Sequence, residues 1–424
     1  MPKVVLIGAG SYVFTPSILH DLICDHRLGD LDLWLVDPDI EMAEAMAGLA
    51  QRMAGSVGVD VTATATGDRS AALPKADYVS TSVVVDGARR WRIDRDVAES
   101  HGVVDVLGEL GGLGGLSYAL RQVALILSIC ADMERLCPGA LLLNVTNPLP
   151  RVMTAVHLYT GVTGYGFCNA AQGGLAAFDG LGRLLGRPRE SLHAVCAGTN
   201  HCSWLLAITD ADSGEDLYPQ VRAAAEAGGV GAFSLRCLRE FRRLPVPGGG
   251  HTAEFFPWDP GVMQRGSGAF HGTPQERAQR RSDLAAMAAG EIPWEPILQH
   301  RAWERPADLA AALQLGRTIE LPMLNVPNGD LLPQLPAEAV VEVPCVVRDG
   351  TVVGRKVGPF PEKLGRFLNV TARVNTLAAR AAAERSRDLA YACVDLDPAI
   401  PNKAGGHAAL DELIERHADL LGWS

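Results

Sequence analysis

No CxxC pair occurs among the 424 residues; the nine cysteines (Cys24, Cys130, Cys137, Cys168, Cys196, Cys202, Cys237, Cys345 and Cys393) are scattered. An odd, unpatterned set in a long chain excludes a disulfide framework and a zinc finger, and reads as reduced thiols in a cytoplasm. Basic residues are outnumbered, with 38 Lys and Arg against 49 Asp and Glu and a net charge of −11. That balance argues against the concentrated cationic surface of a nucleic-acid binder. No uninterrupted apolar run reaches the roughly 20 residues of a membrane span. The opening MPKVVLIGAG has no separate basic region, and its apolar run is too short for a signal peptide. The expectation is a cytoplasmic protein without nucleic-acid or membrane partners.

What is present fits a soluble globular chain with a large core: 48% apolar and 21% charged residues. KVVLIGAGS (Lys3–Ser11) is a buried strand ending in a tight turn, and TPSILHDLICDH a helix with Pro16 in its first turn. LDLWLVDPD, ADYVSTSVVV and ALLLNVTNP are further strands, separated by the helical IEMAEAMAGLAQRMA and YALRQVALILSICADMERLC. Strands alternating with helices predict an α/β fold, a Rossmann-type doubly wound parallel sheet that binds ligands at the carboxyl ends of its strands. Past about residue 165 alanine-rich helical segments alternate with Gly/Pro loops, and strand-like pieces return near the end. The expected division is a dinucleotide-binding domain over 1–165 and an α+β domain over 166–424 for metal, substrate and oligomer contacts.

GAGSYVF is a partial dinucleotide fingerprint: Gly8 and Gly10 permit the turn and close approach to a pyrophosphate, Ser11 follows, and the third glycine is missing. Its position after the first strand and ahead of Asp37, at the end of the second, supports NAD. A carboxylate there suits the ribose hydroxyls and disfavours the extra phosphate of NADP. Asp37 also precedes Pro38, so a plain turn aspartate is the competing reading. NVTNPL places Asn147 after the fourth strand, where nicotinamide and substrate meet, although Asn-Pro is also a common turn starter.

LIGAGSYVFTP, LGELGGLGGLS, NVTNPL, GFCN and GTNH follow one another in the order and spacing of the family 4 glycoside hydrolases. GGGHTAEFFPW and PAEAVVEVPCVV extend the resemblance across nearly the whole chain. The resemblance implies a glycosidase related to lactate and malate dehydrogenases that uses NAD and a divalent metal, usually Mn²⁺, and that departs from the two-carboxylate scheme. It implies oxidation at sugar C3, loss of the C2 proton, elimination of the C1 substituent, water addition and return of the hydride. It also implies a homodimer or homotetramer.

The family's metal ligands fall on Cys168 and His201. On the residues alone, Cys196 and Cys202 are rivals, a lone cysteine is often a small buried hydrophobe, and thiolate is an unusual partner for manganese. Glu109 matches the family's acidic residue before its glycine-rich turn, where Leu113 replaces the usual proline. Asn169 stands where some members carry an acid; an amide cannot donate that proton, so water or another group must. The C2 base falls in PGGGHTAEFF, where His251 is the first choice because imidazole titrates near neutrality and Glu254 the second. Asn147 and Asn200 are expected on substrate hydroxyls, and Arg92, from GARRWRIDRD, on an anionic substituent. The first turn lacks the glycine-richer GGGS common among phospho-glycosidases, which favours O-glycosides of unphosphorylated sugars or uronic acids. A 6-phospho-glycosidase, a sugar or hydroxy-acid dehydrogenase and a cofactor-binding regulator are the alternatives.

Overall fold

The computed structural model describes residues 1–103, 109–168, 179–247, 251–258, 273–300, 302 and 304–423. Six parallel strands open the fold: β1 (Lys3–Ile7), β2 (Leu31–Val36), β3 (Val61–Thr66), β4 (Tyr78–Thr81), β5 (Leu141–Asn144) and β6 (Gly164–Gly166). They lie in the order β3-β2-β1-β4-β5-β6, the doubly wound arrangement expected from the strand–helix alternation. β1 shows why its sequence is apolar throughout. Val4 and Leu6 enter the core on one face while Val5 and Ile7 enter the core on the other. A strand buried on both faces cannot alternate apolar with polar residues, and each such side chain contributes on the order of 1.5–3 kcal/mol.

The helices that follow these strands are α1 (Phe14–His20), α2 (Ile40–Val57), α3 (Arg69–Ala72), α4 (Gly87–Ser100), α5 (Gly112–Leu136) and α6 (Leu149–Tyr159). α2 is bounded as its sequence requires: Asp39 accepts from the Met42 amide at its start, and Gly58 takes a left-handed conformation at its end. α5 starts six residues before the apolar stretch at Tyr118, because the glycine-rich segment is itself helical. Its length and a mean hydropathy of 1.5 over 18 residues resemble a membrane span, but 72% of that window is buried inside the protein. α5 and α6 pack against the long helix Glu362–Glu384, so the chain's end covers this face of the sheet.

The sheet does not stop at β6. β9 (Ile319–Pro327) pairs antiparallel with it at Gly166 and Asn325. β10 (Val340–Arg348), β7 (Leu192–Thr199) and β8 (Cys202–Asp210) follow in that order, and β11 (Thr351–Gly354) pairs with β10. The reading of residues past 165 as helices and loops overlooked the β7–β8 hairpin, whose LHAVCAGT and CSWLLAITD lack clean alternation because both strands are largely buried.

One ionic cluster ties the C-terminal helices to the parallel half of the sheet. Asp94 on α4 is fully buried and accepts from Ser117, from both Nη atoms of Arg121, and from His417 Nε2 at 2.8 Å. Removing one partner of such a group strands the others without water. Asp94→Ala is therefore expected to lower unfolding stability by about 3–5 kcal/mol. Chemical denaturation reads this directly, with a loss under 1 kcal/mol counting against the cluster's role.

Candidate active site and metal centre

The turn after β1 is closed by backbone contacts that only glycine permits. Gly8 has φ +88°, and a Cβ there would lie 2.2 Å from the Ser82 carbonyl oxygen. Gly10 donates its amide to Asp37 Oδ2 at 2.8 Å, and Asp37 Oδ1 accepts from Asp39 at 2.9 Å. Ser11 Oγ accepts from the Phe14 amide at the start of α1. Gly8, Gly10, Ser11 and Asp37 thus form one unit at the carboxyl ends of β1 and β2. Along it Val13, Val84 and Val85 are 40–47% exposed, an apolar surface suited to a cofactor's flat rings.

Asn147 follows β5 and is oriented from both ends of its side chain. Its Nδ2 donates to Glu109 Oε2 at 2.6 Å, and its Oδ1 accepts from the Leu149 amide at 3.2 Å. Glu109 is partly buried. Loss of water and the nearby Glu254 charge push its carboxyl up to about 7, against the His251 charge and the Asn147 hydrogen bond.

Glu254 connects this loop to two histidines. Oε2 accepts from the amides of Leu110 (2.8 Å) and Gly111 (3.3 Å), at the N-terminus of α5. Oε1 stands 3.7 Å from His201 Nδ1 and 3.5 Å from His251 Nδ1. The imidazoles are 4.1 Å apart, centre to centre. Gly111 is obligatory here, since a Cβ would lie 2.0 Å from the Glu254 carbonyl oxygen. Burial raises the Glu254 carboxyl, but its contacts with both imidazoles and their charges outweigh that effect and bring it down to about 2. Burial lowers His201 to about 4, helped by the charge of His251. His251 goes the other way, because Glu254 and Glu109 outweigh its burial.

His201 is the second central residue of the two-residue turn between β7 and β8. It is 2% exposed and carries φ +60°, a left-handed conformation that strains a non-glycine residue by about 1–3 kcal/mol. Thr252 Oγ1 donates to its carbonyl at 3.0 Å. Ligand atoms of His201, His251 and Glu254 all lie within 4.8 Å of one another, and both Nδ1 atoms are buried without a hydrogen-bond partner. Two imidazoles and a carboxylate suit a divalent ion with open positions for substrate and water. Cys168 follows β6 and packs beside Leu149, Met153 and Val340; it is not part of this cluster.

The remaining expected residues are placed as follows. Asn200 is fully buried and donates to Glu342 Oε1 at 2.9 Å. Arg92 is exposed on α4, its Nε donating to the Ala88 carbonyl. The recess beside Glu109 is walled instead by Val84, Trp91, Tyr118, Arg90 and Arg121. Arg90 is held by both carboxylate oxygens of Asp419, and Arg121 by both of Asp94. Asn169 lies outside the described residues. Sequence reasoning gave Glu254 only second place as a base and did not see it joining the Glu109 loop to both histidines. The His-x-x-Glu spacing, which puts two side chains on one face of a helical turn, was the available signal.

Residues 3–179 match the model of the family 4 glycosyl hydrolases and residues 196–400 that of the family 4 C-terminal domain. The chain is 25% identical over 436 residues to an alpha-galactosidase of Bacillus subtilis (strain 168), covering 99% of each. It is 28% identical over 428 residues to an alpha-glucosidase of Erwinia rhapontici, covering 93% of each. Among solved structures, a 6-phospho-alpha-glucosidase from gut microorganisms in complex with NAD and Mn²⁺ superposes with a TM-score of 0.78 at 20% identity, over 99% of this chain and 98% of that one.

The pKa shifts set a pH dependence for the metal-free protein. His201 falls below its unfolded value, so its contribution is intact above about 6.5 and is lost as pH drops toward about 4. Glu254 acts in the same direction, from its unfolded value down to about 2. Glu109 and His251, both raised, act in the opposite direction, so the difference between the two proteins carries the test: from pH 7 to 4, thermal melts should show the parent losing stability relative to His201→Asn. Equal slopes in the two proteins would refute the assignment.

Proposed function

Because the chain belongs to family 4 of the glycosyl hydrolases, we propose that this glycosidase cleaves O-glycosides of unphosphorylated sugars or uronic acids using NAD and a divalent ion, with Mn²⁺ the first choice. The observation that carries the reading is the meeting of the His201–His251–Glu254 cluster with the Glu109–Asn147 pair through one carboxylate, Glu254. The alpha-galactosidase and alpha-glucosidase relatives support unphosphorylated substrates. So does the prior pairing of Arg90 and Arg121, the two arginines lining the recess beside Glu109, with Asp419 and Asp94.

When bound, NAD would supply a reversible hydride acceptor and the divalent ion a Lewis acid for a sugar oxygen. The residues of 1–165 then serve the dinucleotide: Gly8, Gly10 and Ser11 by their turn, Asp37 at the ribose and Asn147 at the nicotinamide. Residues of 166–424 supply the ion's ligands, His201 with His251 and Glu254; Cys168, the other expected ligand, stands outside that group. His201 is suited to this because burial keeps it neutral, the form that binds metal. Of the two proton carriers, Glu109 is the better placed to move the proton at sugar C2. It titrates near neutrality, whereas His251 is engaged with Glu254. Asn147 fixes one Glu109 oxygen, and Asn200 lies in the turn that presents His201 to the substrate. A reducing cytoplasm fits nine cysteines of which none is in a disulfide, and a homodimer or homotetramer is the assembly we expect.

Nitrophenyl glycosides should be hydrolysed only with NAD, Mn²⁺ and reductant together. No net NADH should accumulate, and solvent deuterium should appear at C2 of the released sugar. Net NADH, or product without label, would point to a plain dehydrogenase or to direct displacement. Glu109→Gln should lower kcat by about 10²–10⁴-fold with NAD affinity unchanged, and steady-state kinetics with equilibrium NAD binding would separate the two.

A further inference from the structure

One buried carboxylate has no place in the chemistry described so far. Glu342 interrupts the apolar run AVVEVPCVV on β10 and is 1% exposed. Isolated in a core it would be costly, yet three side chains converge on it. Oε1 accepts from Asn200 Nδ2 at 2.9 Å and from Asn325 Nδ2 at 3.0 Å, and Oε2 accepts from Ser203 Oγ at 2.5 Å. Asn200 precedes His201 in the β7–β8 turn, and Ser203 lies two residues after it, in β8. Asn325 Nδ2 also reaches the Gly166 carbonyl at 3.4 Å, two residues before Cys168. The register places these residues in one row across four strands: Gly166 beside Asn325, Asn325 beside Glu342, and Glu342 beside Gly198.

We propose that Glu342 is the positioning residue of the metal centre, a clamp that fixes the His201 turn in its left-handed conformation and sets its distance from the strand end carrying Cys168. This rests on the reading of His201 as a metal ligand. The physical argument is one of strain and attachment. A histidine at φ +60° relaxes unless neighbouring contacts hold it, and a turn of two residues offers few. Glu342 supplies two from opposite sides of His201, and Thr252 supplies the third on its carbonyl. Groups that hold a ligand in place this way typically change metal affinity by about 10–100-fold when removed.

The test is equilibrium Mn²⁺ binding, read by loss of the free-ion electron paramagnetic resonance signal, with NAD binding measured alongside on the same preparations. Glu342→Ala and Ser203→Ala should each weaken Mn²⁺ binding, by about 10–100-fold for the first and less for the second, while NAD affinity stays unchanged. Glu342→Gln keeps an acceptor for the two asparagines and should recover most of the loss. A folded Glu342→Ala with Mn²⁺ affinity within twofold of the parent would overturn the clamp. If Glu342→Ala does not fold, unchanged Mn²⁺ affinity in Ser203→Ala would do so. His201→Ala separates the two levels, since unchanged Mn²⁺ affinity there would overturn the ligand assignment itself.

Discussion

The site depends on a single carboxylate placed where two kinds of positive potential meet. Glu254 accepts from the Leu110 and Gly111 amides, just ahead of α5, on one side and faces two imidazoles on the other. The N-terminus of a helix favours a negative charge, and the contacts with both imidazoles and the charge of His251 reinforce it, so Glu254 stays ionised even though it is buried. Glu109 is pushed in the opposite direction, by loss of water first and by the Glu254 charge second. In the function we propose, two neighbouring glutamates, one held at about 2 and one at about 7, divide the work of binding a cation and carrying a proton. The glycine-rich segment makes this possible, because Gly111 lets the two backbones touch.

Much of this was legible in the sequence, and the rest was hidden for identifiable reasons. The nucleotide half announces itself through strands buried on both faces and through Gly8 and Gly10. β3 escaped because VTATAT carries only small side chains, and β6 because three residues with two glycines show no period. Arg92 was chosen from a run of arginines, yet α4 turns it toward solvent while Arg90 and Arg121 line the recess. One-dimensional spacing cannot tell neighbouring positions on a helix apart without knowing which face is covered. His251 and Glu254 were both noticed. That they close on His201, some fifty positions earlier, is a tertiary fact that no local pattern encodes.

The continuous sheet gives these residues a common frame. β6 ends the parallel half, and the antiparallel β9, β10 and β7 carry the register onward to the turn that bears His201. Glu342 sits in the middle of that row, and on the proposal above it ties the antiparallel extension of the sheet to the turn that presents the histidine. On this proposal, a dinucleotide-binding scaffold gains a metal centre by extending its edge.

The most direct measurement is pulsed electron paramagnetic resonance of Mn²⁺ added to the protein with NAD present. The account predicts nitrogen couplings from two imidazoles, both lost together with the bound ion's signal in His201→Ala. A bound ion coupled only to water and oxygen ligands, unchanged by that substitution, would contradict it.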